Sequence, residues 1–317
     1  MKNFDSMKYL KTFAVVAIMT LSLCHAAAQD NASERFSQRY DQLVSKVGVA
    51  GVGVETLLDN WEAVDPDNEK MLIARFNFFL TKAATSTIVT RPTKKYLGNE
   101  PVLTLKDSLG NDVRYFEDTD WDEEIFSSAI KQIDRIIRTY PESLDYRFMK
   151  AGALVAYEKE SPDMALSELI RLVDLFCTSK GRTWTYGGEN ADAEFFKGAI
   201  QEYCYLFFTT ASDSSYEAFK TLSETMSKYY PKETIFISNI GSYWSAYKKD
   251  TKKAMKEYAK VLKINPNDMT ALKNCILICR KEKDVKQEKK YLKRMLQCAE
   301  TESDRLQAQN RLDVLGN

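Results

Sequence analysis

Bulky apolar residues recur along this chain at a fixed spacing from a small one. Ala129 is followed four, seven and eight positions on by Ile133, Ile136 and Ile137, and Ala254 by Tyr258, Val261 and Leu262. Ala218 leads in the same way to Leu222, Thr225 and Met226, and Ala165 to Leu169, Leu172 and Val173. This spacing puts all four residues on one face of a helix. Three of the runs end at a proline, namely Pro141, Pro231 and Pro266. Proline restricts the residue before it to extended backbone, so each marks a helix end. A repeated helix of fixed length predicts a stacked array of helix pairs.

The pairs can be followed along the chain. Phe36, Tyr40, Leu43 and Val47 make a first helix stripe, and Val54, Leu58 and Trp61 its partner, closed by Asp65-Pro66-Asp67. Glu62 stands where this unit wants a bulky residue. Met71, Ile73, Phe76, Phe79 and Leu80 open a second unit. Its partner helix begins only near Asp122, and the intervening stretch is rich in β-branched and turn-forming residues. Pro101–Lys106 and Val113–Phe116 read as two strands around a turn, an inserted β-hairpin within about residues 85–120. Pro66 and Pro141 lie 75 residues apart, one repeat of about 34 plus about 41 more. Leu144–Glu158 pairs with Pro162–Cys177, and Ala191–Phe208 with Ser214–Tyr230. Between these two units lies a loop, 178–190, holding Trp184, Tyr186, Gly187 and Gly188.

The unit from Glu233 to Pro266 carries a recognisable signature. Ile240-Gly241 and Trp244 in its first helix, with Ala254, Tyr258 and Pro266 in its second, resemble the tetratricopeptide repeat (TPR) family. Small residues at Gly241 and Ala254 would let the two helices approach closely. The turn between them is one residue shorter than that family's. A sixth unit pairs Met269–Arg280 with Val285–Cys298, with Glu288 in place of the small residue, and 303–315 reads as a capping helix. The resemblance covers most of residues 33–300. It implies an all-α fold, a right-handed α-solenoid of TPR-like helix pairs over 29–317, whose grooves hold peptides or partner proteins.

Residues 1–28 stand apart. Lys2, Lys8 and Lys11 precede a short apolar run, Phe13–Leu23, and the small residues Ala26-Ala27-Ala28, the pattern of a secretory signal peptide. The run is shorter than the roughly 18 residues expected of a membrane-spanning helix. An exported chain, periplasmic or extracellular, is expected. Leu21-Ser22-Leu23-Cys24 is similar to a bacterial lipobox, but Leu23 is large where that motif takes a small residue, so a lipid anchor is the secondary reading.

Composition narrows the chemistry. The sole histidine, His25, lies in the signal segment, so the mature chain lacks histidine-based acid–base catalysis, nucleophile activation and metal ligation. The five remaining cysteines match no disulfide framework or zinc spacing. They read as small buried apolar residues, with a bridge to Cys298 as the alternative. Asp118-x-Asp120-x-Asp122 invites a calcium reading, but Glu123 and Ala129 stand where an EF-hand loop needs Gly and Glu. Acids there instead suit a helix N-terminus. No cofactor, metal or catalytic set is expected. The formal net charge of zero calls for neither nucleic acid nor an anionic membrane.

Two features remain as candidate binding elements. Lys248–Arg294 holds 16 basic residues against 6 acidic ones. Lys252, Lys256 and Lys260 form a stripe suited to an acidic peptide, a polyanionic glycan or a phosphate surface, or to plain solvation. Trp184 and Tyr186 beside glycines could stack on a sugar, grip a peptide, or tuck back between repeats. The sequence thus points to a non-catalytic exported scaffold with a protein or peptide partner. A glycan-binding accessory protein of the cell envelope is the alternative, and a hydrolase using carboxylates alone is a remoter one.

Overall fold

The structure is a computed structural model and describes residues 32–316. The proposed signal peptide, Cys24 and His25 lie outside the described residues. Those described fall into two compact units, 32–89 with 117–150, and 90–116 with 151–316.

In the first unit, α1 (32–47) precedes α2 (Val54–Val64), α3 (Glu69–Ala83) and α4 (Glu123–Thr139). Trp61 of α2 is buried, donates to Ser33 Oγ at 2.7 Å, and stacks on Phe36 of α1. The anomaly at Glu62 resolves as an ion pair. Its carboxylate meets buried Arg75 at 2.9 Å and also Arg135 of α4. α3 packs on α4 across the insertion, as the repeat pattern requires. The insertion begins as the chain leaves Ala83 and ends at Asp122, whose N–H donates to the Ala83 carbonyl at 2.9 Å. The Asp122 side chain then caps α4 by accepting from Ile125 N–H, with Glu123 and Glu124 in the first turn. Asp122, Glu123 and Glu124 thus stand at the helix N-terminus expected for the acids, whereas Glu117, Asp118 and Asp120 lie in the strand that precedes it.

The inserted hairpin is present as β2 (Leu103–Lys106) and β3 (Asp112–Trp121), antiparallel with Leu103 opposite Tyr115 and Lys106 opposite Asp112. A third strand, β1 (Ala84–Arg91), adds to it in the order β1-β3-β2. Thr85, Thr87, Ile88, Val89 and Thr90 give it β-branched character. It follows α3 without a turn, so no punctuation announces it.

The second unit holds most of α5 (Leu144–Glu158), whose first turns belong to the first unit, and then α6 (Asp163–Thr178), α7 (Ala193–Thr210) and α8 (Asp213–Tyr229). α9 (Thr234–Ser242), α10 (Thr251–Ile264), α11 (Met269–Lys281), α12 (Val285–Cys298) and α13 (Glu302–Val314) complete it. From α7 onward each helix packs on the next, which is the TPR-like arrangement of helix pairs. The stripes read from the sequence are its core. Ala165, Leu169, Val173, Leu222, Met226, Ala254, Tyr258 and Val261 are all buried. Gly241 of α9 faces the ring of Tyr258 on α10.

Four helices end on one device. Asp65, Tyr140, Tyr230 and Asn265 each precede a proline and donate back to the carbonyl four residues earlier. The carbonyl of each then accepts from the N–H three residues on, closing a turn with proline in its second position. In three of these turns an arginine from the following unit caps the proline. Arg147 of α5 donates from Nη2 to the Pro141 carbonyl at 3.0 Å, and the other two reach across from a second helix. Arg135 Nη2 donates to the Pro66 carbonyl at 2.6 Å and Arg294 Nη2 to the Pro266 carbonyl at 2.7 Å. The second pair is 28 residues apart and the first 69. The difference is the length inferred for the insertion, so both arginines hold one repeat position.

Glu288, the other anomaly, is buried. It accepts from Arg280 Nε at 3.2 Å and from Arg311 Nε at 2.7 Å, binding α11, α12 and α13 together. All five described cysteines are free, with Cys204, Cys275 and Cys279 buried. No described helix is long and apolar enough to cross a membrane.

Candidate ligand groove

The long basic run of the sequence shapes a groove in the second unit. α9 packs against both α8 and α10, and its Ile240, with Trp244 just beyond its end, floors a cleft of about 660 Å³ between them. Glu224, Ser227 and Lys228 of α8 form one wall, and Lys253, Lys256, Glu257 and Lys260 of α10 the other. The helical period explains this membership. Lys253, Lys256, Glu257 and Lys260 are spaced three, four and seven apart and share a face beside the buried Ala254–Tyr258–Val261 stripe. Of the expected stripe, Lys256 and Lys260 line the groove. Lys252 lies about a quarter turn further round α10 and does not.

Trp244 owes its place to an irregular turn. α9 runs into a π-helical turn, Tyr243–Tyr247, in which Lys248 N–H reaches back to the Tyr243 carbonyl at 3.2 Å. A π turn winds one extra residue into the helix. Lys253 Nζ sits over the Trp244 ring, 4.2 Å from its centroid. Beside this turn, the Tyr243 hydroxyl donates to Glu217 at 2.6 Å, and Lys248 pairs with the same carboxylate at 2.8 Å. Lys248 and then Tyr243 hold the Glu217 carboxyl below its ordinary value. Burial, then Glu217, pushes the Tyr243 hydroxyl up to about 12. The cluster is a brace for the turn.

The charges of the groove are unevenly satisfied. Lys260 pairs with Glu257 at 2.6 Å, Lys253 with Asp250 at 3.2 Å, and Glu224 with Lys220 at 2.9 Å. Lys228 and Lys256 are exposed and make no ion pair among the described residues.

The aromatic loop lies apart from this groove. It folds as a two-strand hairpin, β4 (Thr185–Tyr186) and β5 (Glu189–Asn190), around Gly187 and Gly188, both at positive φ. Such a two-residue turn wants glycine at both places. Trp184 is 4% exposed and stacks on Phe176 at 5.6 Å, while Arg182 lies 5.2 Å from its ring. Of the three readings open for it, the geometry is that of a ring tucked between repeats. Tyr186 is 44% exposed and rests on Phe195 at 4.7 Å. Neither joins the lysines. Trp244, known from the sequence only as a repeat residue, is the aromatic that does. Among the described residues no group of three or more His, Cys, Asp or Glu could hold a metal ion.

No protein-family model matches this chain, and no curated protein matches it. Among solved structures it is similar to the crystal structure of MamA, at 13% identity and a TM-score of 0.34, over 61% of this chain and 93% of that one. It is also similar to YrrB, titled a TPR protein with an unusual peptide-binding site, at 16% identity and a TM-score of 0.32 over 73% and 86% of the two chains. At these TM-scores neither likeness extends to function. The TPR-like assignment stands on the helix packing of this chain itself.

Proposed function

We propose that this protein is a non-catalytic scaffold that holds a protein or peptide partner outside the cytoplasm. The single observation that carries the binding role is the α8–α9–α10 groove, with its apolar floor and two unpaired ammonium groups. Unspent charge beside an apolar floor is a surface awaiting a complement. Export rests on the sequence of residues 1–28. A glycan site would need an open aromatic face. Trp184 is packed on Phe176, Trp244 carries the Lys253 ammonium, and the exposed Tyr186 stands outside the groove, so the peptide reading is preferred for the groove.

The test is in-cell cross-linking of the tagged full chain, followed by affinity recovery from the envelope and exterior fractions. A reproducible cross-linked protein there is the expected result. Recovery of the chain only from the cytoplasm, or without any cross-linked partner, overturns the proposal.

A further inference from the structure

We infer that the α8–α9–α10 groove takes an extended acidic segment of a partner protein, an apolar side chain flanked by carboxylates. This rests on the scaffold reading and names the chemistry of its ligand.

The pairing pattern selects the charge. Lys253, Lys260 and Glu224 already have partners on their own helices or the adjoining turn. Lys228 and Lys256, one on each wall, do not, and so offer an incoming carboxylate an ammonium from either side. The floor selects the apolar element. Lys253 lies over the Trp244 ring, which leaves Ile240 and the ring edge as a seat for an aliphatic side chain.

The walls also select a peptide over a polyanion. Glu224 and Glu257 line the same groove. A uniformly anionic chain of sulfates or phosphates would meet these carboxylates with repulsion. A peptide has backbone N–H groups for them to accept, and it can place its acids selectively. The dimensions agree. From Lys253 to Lys260 a helix rises about 10 Å, which is about three residues of extended chain. An acid–apolar–acid tripeptide therefore spans the groove, with the central side chain down and its neighbours directed toward the rims.

The experiment uses the purified full chain on an array of octapeptides that vary in net charge and in the residue between two acids. Bound peptides should be enriched in Asp or Glu flanking Leu, Ile or Val. The double variant Lys228→Glu/Lys256→Glu should lose about tenfold or more in affinity. Lys286→Glu/Lys290→Glu, the same charge change on the exposed face of α12, should lose nothing. Heparin serves as the polyanion probe. Neutral peptides binding equally well, an unaffected groove variant, a blank array, or binding of heparin alone would each overturn the inference. The two readings fail separately. A cross-linked partner retained by the groove variant removes only the acidic segment, whereas the absence of any partner removes the scaffold.

Discussion

The ring of Tyr258 lies so close to Gly241 that a Cβ there would stand 2.7 Å from its Cε1. Real Cβ atoms do not tolerate that separation, and the ring is fully buried and held by a 3.1 Å hydrogen bond between its hydroxyl and that of Ser242. Gly241→Ala should therefore force α9 and α10 apart, at a cost of about 1–3 kcal/mol. Urea denaturation measures it. A variant as stable as the parent would mean that Tyr258 can swing away, and the close approach would then not matter.

Glu288 gives a pH dependence. Arg311, and after it Arg280, holds the carboxyl below its ordinary value of 4.5 against the opposing effect of burial. A depressed folded value means the stabilisation is present above about pH 4.5 and disappears as pH falls through the folded value. Glu288→Gln should cost about 1–3 kcal/mol at neutral pH, and its deficit should shrink in acid. A deficit of constant size from pH 7 to pH 3 would contradict the ion-pair account.

Much of the fold was legible because the sequence writes packing as periodicity. The Ala–x₃–bulky stripes and the X-Pro ends are local signals, and each fell where expected. The hairpin β2–β3 was announced by the turn residues of Asp107–Asn111. β1 was not, because it continues from α3 without a Gly, Pro or Asn to mark the change. The two anomalous acids, Glu62 and Glu288, could be spotted but not explained. Their arginine partners lie 8 to 73 residues away and are brought in only by tertiary packing. The site was legible by half. Lys256 and Lys260 were picked out, but Trp244 reads in sequence as a packing residue until the π turn re-aims it. Trp184 has the composition of a binding loop and the surroundings of a core.

The arginines on the proline turns make a graded prediction. Arg294→Ala removes one charge-assisted hydrogen bond from a half-exposed site and should cost about 1 kcal/mol. Arg135→Ala removes the equivalent bond and also the ion pair with Glu62, so it should cost more. Thermal unfolding of the two variants gives the order. Equal losses would show that Glu62 contributes nothing through Arg135.

Burial pushes the thiols of Cys204 and Cys275 up to about 12 and that of Cys279 up to about 11. Thiolate is the reactive form, so these three should resist iodoacetamide at pH 8 in the native protein and react fully in urea. Peptide mass mapping reads each site separately. Rapid native labelling of Cys275 or Cys279 would mean that the α11–α12 contact opens far more readily than its packing implies.

The hydrogen bond between Asp122 and Ala83 makes the α3–α4 connection a doorway: the chain steps out and back in across the width of one bond. The α3–α4 contact itself does not depend on the length of what lies between. Doubling the length of a flexible loop costs only about 0.6 kcal/mol in closure entropy. The helix pair is thus a permissive socket as regards length, where a longer or shorter appendage could be fitted without undoing the α3–α4 contact.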